Sequence, residues 1–127
     1  MDKLQELFEL ALEWFCKGFT EGTHASLHII GSNAKGERFM LKIAANDDEQ
    51  MVQNSKDSLS HNQITAFAGI GEGNLPTRNG MVPVFIIYLQ SSPGDPVRIM
   101  AMPYQRGKKG EISMGKLMDI AQDKSWL

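Results

Sequence analysis

The chain is predicted to adopt an α+β fold: a mainly antiparallel sheet of about five strands with helices chiefly on one face, in the order α-β-β-α-β-β-β-α. Three observations carry this. The opening stretch repeats apolar residues at spacings of three and four, HASLHII and ERFMLKIA alternate apolar with polar residues, and VPVFIIYL is apolar on both faces. No linker, internal repeat or low-complexity stretch interrupts residues 1–127, so a single domain is expected.

The N-terminal helix comes from DKLQELFELALEWFCKG. Leu4, Leu7, Phe8, Ala11, Trp14 and Phe15 fall on one helical stripe, and Gly18 stands where a C-terminal cap belongs. Leu10, Leu12 and Cys16 widen the apolar arc beyond half the circumference. Such a helix covers a sheet and has apolar surface left over for a second chain, which marks Leu12, Trp14 and Phe15 as candidate interface residues.

A hairpin follows. Ala25, Leu27 and Ile29 share one face of the first strand, and Phe39, Leu41 and Ile43 share one face of the second. The link NAKG fits a three-residue loop with Gly36 in the left-handed position, and a register of Leu27 with Leu41 and Ile29 with Phe39 keeps the core faces together. The middle helix is predicted from NDDEQMVQNSKDSLSHN, with Asn46 as cap and Glu49 three residues on; only Met51, Val52 and Leu59 anchor it.

In AFAGIGEGNLPTRNGMVPVFIIYLQ, Gly69, Gly71 and Gly73 recur at every second position. A phosphate-cradling loop needs a helix N-terminus after the glycines, and here another strand follows instead. The stretch therefore reads as a hairpin turning at Asn79-Gly80, with Arg78 opposite Met81 and Gly71 opposite Tyr88. The glycines leave one face without side chains, open to a cross-strand cover by Tyr88 or to the approach of another element or subunit. Pro76 and Pro83 flank the tip and cannot donate to a ladder, so the tip is expected to project beyond the sheet with Arg78 at its end. VRIMAMPYQ supplies the next strand, EISM a short one, and KLMDIAQDKSWL a C-terminal helix through Leu117, Ile120 and Ala121; Gly115 interrupts that helix, and a longer strand also fits.

Charge and composition exclude several activities. A net charge of −2 opposes general affinity for nucleic acid or anionic membrane. One cysteine, Cys16, forms no internal disulfide, no apolar run approaches the ~20 residues of a membrane span, and Glu6, Glu9 and Glu13 break any signal-peptide pattern, so a cytoplasmic location is expected.

The densest functional groups fall on the polar face of the first hairpin, where His24, Ser26 and His28 face Arg38, Met40 and Lys42. The two histidines stand about 13 Å apart along an extended strand, too far to share one metal ion. Ser26 lacks the sharp turn and the orienting carboxylate of a nucleophilic serine. No catalytic residue, metal site or cofactor is therefore assigned, and the reading leans away from an enzyme without closing that alternative.

Two functions follow from the residues. The first is a small protein that acts by association, as a homodimer or with a dedicated protein partner, in the manner of chaperone-like or immunity-like accessory proteins, through Leu12, Trp14, Phe15 and Arg78. The second is an enzyme or sensor that holds a small anionic ligand at His24, His28, Arg38 and Lys42.

Overall fold

The computed structural model describes residues 3–21 and 27–127, so the expected strand residues His24, Ala25 and Ser26 lie outside it. Two helices, α1 (Lys3–Glu21) and α2 (Asp48–His61), accompany seven strands. The strands are β1 (Leu27–Asn33), β2 (Arg38–Ile43), β3 (Ile64–Thr77), β4 (Gly80–Gln90), β5 (Val97–Arg106), β6 (Ile112–Met114) and β7 (Met118–Asp123). All pairs are antiparallel, in the order β2-β1-β3-β4-β5-β6, and β7 also pairs with β5. The first hairpin and the later strands thus form one continuous sheet.

Alternation along the strands makes two cores. On one face Ile30, Ala68, Ile70, Phe85, Ile87 and Met102 pack against Leu7, Ala11 and Phe15 of α1, each of these three fully buried. Burying Leu7 and Phe15 contributes roughly 1.5–3 kcal/mol apiece. On the other face Leu27, Ile29, Ile43, Ile64 and Phe67 pack against Met51 and Leu59 of α2 and against Trp126. The helices therefore lie on opposite faces, not chiefly on one. β4, apolar on both sides, sits between β3 and β5 where both of its faces are covered.

The C-terminal helix is not formed. Residues 112–114 and 118–123 are strands, giving seven in place of about five. The outer edge of β5 offers an unpaired row of amides and carbonyls, and pairing it satisfies more backbone than a short exposed helix interrupted by Gly115 would. Gly18 does not end α1, which runs on to Glu21; one glycine costs a helix about 1 kcal/mol, less than its packed face contributes. The cap of α2 is Asp47, one residue later than expected: its carboxylate accepts from the Gln50 amide at 2.7 Å, while the Gln50 side chain accepts from the Asn46 amide at 2.8 Å.

Both hairpins keep their expected faces but shift by two residues. Leu27 pairs with Ile43 and Ile29 with Leu41. Gly36 takes a φ of 82°, and Asn33 Oδ1 closes the loop by accepting from the amides of Lys35 and Glu37. In the β3–β4 hairpin Thr77 pairs with Gly80, so Arg78 and Asn79 form the tip and Gly80, at φ 105°, starts the return strand. Tyr88 consequently lies opposite Gly69, and Gly71 lies opposite Ile86.

One buried amide ties the chain end to the sheet. Gln90, only 1% exposed, donates to the carbonyls of Ser92 and Asp95 and to the Ser125 hydroxyl, and accepts from the Trp126 amide at 3.0 Å. Trp126 then stacks on Phe67 at 5.6 Å and donates from its indole to Asp123.

Two glycine substitutions separate close approach from ordinary contact. A Cβ on Gly31 would stand 2.9 Å from Cγ2 of the buried Ile64, whereas one on Gly69 would meet Ile29 no closer than 3.4 Å. Gly31→Ala is expected to cost about 1–3 kcal/mol. Gly69→Ala is expected to stay within about 0.5 kcal/mol of the wild type. Urea unfolding of the two variants checks the contrast.

Candidate functional site

The residues singled out in the sequence divide between the two faces of the sheet. His28, Arg38 and Lys42 share the α1 face, as their alternation requires, and all three are engaged with α1. His28 is 1% exposed, with its ring edge-on to Trp14 at 4.4 Å and to Phe15 at 5.2 Å. Arg38 is paired with Glu6, and the Lys42 ammonium stands 5.8 Å from the Trp14 ring centroid. These contacts fasten the helix to β1 and to the edge strand β2 rather than surround a cavity. His24 lies outside the described residues.

The candidate interface residues also separate. Phe15 is fully buried against Phe85 at 5.3 Å and belongs to the chain's own core. Leu12 and Trp14 are half-buried and pack on the same core, so the chain itself covers much of the apolar arc of α1. Arg78 alone stands clear, exposed at the hairpin tip. Cys16 is half-buried, and burial pushes its thiol pKa up, away from the reactive thiolate.

A concavity on the α2 face borders the glycine strip. A cavity of about 660 Å³ has Gly71 and Gly73 in its floor, Ile86, Tyr88 and Ile99 along its walls, and Asp47 and Asp48 from the start of α2 at its rim. The glycines create it by withholding side chains where α2 stops covering the sheet. Towards β1 the bare strip is filled by Ile29 and Leu27, which lean over Gly69; towards β4 it is narrowed by Ile86, whose Cγ1 would lie 2.8 Å from a Cβ on Gly73. Glu72 also borders the cavity, but its carboxylate accepts from the Tyr104 hydroxyl at 3.0 Å, and alternation puts that contact on the α1 face. The cross-strand cover expected from Tyr88 is not what meets Gly69: Leu27 and Ile29 of the neighbouring β1 lie over it, and the strip borders the cavity at Gly71 and Gly73.

The rim residues were missed in the sequence because Asp47 and Asp48 look there like ordinary acidic helix-start residues. Their placement over the glycine strip follows from β3 lying beside β1, which no local pattern reveals. Among the described residues, no group of three or more histidine, cysteine or acidic side chains is arranged to hold a metal ion.

Tyr88 reports on this cavity. Its phenol is pushed up to about 12, first by burial and then by the carboxylates of Asp48 and Asp123. Its ring leans on Trp126 at 5.1 Å. Tyr104, on the opposite face, is also raised to about 12, by burial and then by Glu72.

Comparison with protein-family models, with curated proteins and with solved structures found no match.

Both tyrosines should therefore resist ionisation. An unfolded phenol releases its proton near pH 10, while the folded protein keeps both protons up to about pH 12. Their contribution to stability is complete below pH ~10 and is lost as pH rises through the folded values. Ultraviolet titration of folded protein should show little tyrosinate at pH ~10.5, and Asp48→Asn should lower the Tyr88 midpoint without moving that of Tyr104. An ordinary midpoint for Tyr88 in the wild type would contradict the buried, acid-flanked placement.

Proposed function

We propose that this protein acts by protein association, forming a homodimer through the projecting β3–β4 hairpin. The observation that carries the reading is the length of that hairpin relative to the sheet. Among the described residues β1 accompanies β3 only as far as Gly71, and β5 accompanies β4 only from Val84 onward, yet β3 and β4 remain paired to Thr77 and Gly80. Among the described residues, 72–83 thus form a two-stranded ribbon, which at ~3.3 Å per residue reaches about 20 Å past the described β1–β3 ladder.

A lone two-stranded ribbon is marginal in water. This one has no buried residue from 72 to 83, and it holds Met81 63% exposed beside the half-exposed Val82. A partner's surface would supply the missing support. The same ribbon is blunted against open-ended strand addition by Pro76 and Pro83, so it fits a closed contact better than a growing sheet. The isolated cations of the anionic-ligand reading are already engaged with α1, which leaves that reading without an equivalent support. No helix among the described residues is long and apolar enough to cross a membrane.

Native mass spectrometry tests the reading. The wild type should appear as a pair of 14.1 kDa chains, and deleting residues 77–80 should leave single chains with an unchanged circular dichroism spectrum. A wild type that stays a single chain at micromolar concentration, or a dimer indifferent to the deletion, would contradict it.

A further inference from the structure

The arm and the α2-face cavity are complementary parts of the same surface. Arg78 is the only charged residue between Glu72 and Asp95, and it stands at the exposed tip two residues before Gly80. Met81, at 63% the most exposed large apolar side chain described, lies just behind it. Among the described residues the cavity is lined by no lysine or arginine, has Asp47 and Asp48 at its rim, and is apolar along Ile86, Ile99 and Ile120. The Asp48 carboxylate has no ion-pair partner among the described residues, whereas Asp47 already caps α2.

The arm does not fill the cavity of its own chain. Gly73 and Asn74 border the cavity and also form the base of the arm, and the paired run from there carries the tip away. A second copy of the chain carries an occupant of this chemistry. We propose that the tip of one chain seats in the α2-face cavity of a second, with Arg78 against Asp48 and Asp47 and Met81 on the apolar wall. Because the cavity lies at the base of the arm, a twofold axis beside the middle of the arm sets two arms antiparallel, satisfies both tips and both cavities at once and closes the assembly at two chains. Removal from water strengthens the charge pair, and added salt weakens the encounter of the exposed groups.

This inference rests on the association reading and is tested by a charge exchange that can fail separately. Native mass spectrometry and light scattering are applied to the wild type, Arg78→Glu, Asp48→Arg and the double variant. The single changes should each weaken dimerisation at least tenfold, and the double variant should recover most of it. A second measurement guards against loss of the α2 start in Asp48→Arg. In a Cys16→Ser background, a preparation carrying Arg78→Cys is mixed with one carrying Asp48→Cys and gently oxidised. Disulfide-linked pairs should form in the mixture well above either preparation alone. A wild-type dimer lost on removing residues 77–80 but indifferent to both tests would overturn the cavity as the seat and leave the association reading standing. A wild type of single chains, with or without a small molecule retained, would overturn both.

Discussion

The pairing of β3 with β4 is the constraint on which the molecule depends. The two strands stay in register from Phe67 and Gln90 to Thr77 and Gly80 without a bulge. β1, and through it β2, hangs from one side of this ribbon, and β5 with its two short partners hangs from the other. Both cores are built on its faces. Ala68, Ile70, Phe85 and Ile87 receive α1, and Phe67 receives Trp126 on the reverse. The same uninterrupted pairing carries the hairpin beyond the described ends of its ladders with β1 and β5.

The glycines of β3 turn that ribbon into a surface with a shape. At Gly69 the missing side chain admits Leu27 and Ile29 from β1. At Gly71 and Gly73 it leaves a concavity under the start of α2. A sheet with ordinary residues at these positions would be evenly covered, and Asp47 and Asp48 would simply face water. The acidic start of α2 thus serves its helix through the Asp47 cap and the cavity through the field that Asp48 places beside Tyr88. The helix requires only the cap.

Local patterns in the sequence were sufficient where a single element decides the outcome. The stripe of Leu7, Ala11 and Phe15 gave α1, the double-sided apolarity of VPVFIIYL gave an interior strand, and Gly36 gave the first turn. The first errors were of register and boundary. Asn79-Gly80 was read as the tip, but Thr77 pairs with Gly80 and moves every partner by two, which preserves faces and therefore leaves no trace in the pattern. The larger errors were of neighbourhood. MDIAQD alternates as well as it spirals, and only the free edge of β5 selects the strand. The side of the sheet on which α2 lands, and hence the cavity, depends on β3 returning beside β1. Phe15 illustrates the same limit: its spacing marks an apolar face, but only the fold shows that face meeting Phe85 rather than a second chain.

The buried Gln90 clamp fastens the C-terminal end to the sheet, and among the described residues the paired run 72–83 has no further strand beside it. The central claim is that a second copy supports that run. Amide hydrogen exchange across residues 72–83, followed as the protein is diluted, tests it most directly. The amides of the arm should be protected at high concentration and lose protection on dilution, while those of Phe85, Ile87 and Ala101 in the sheet interior do not change. Arm protection independent of concentration would show that the hairpin is self-supporting and would contradict the account.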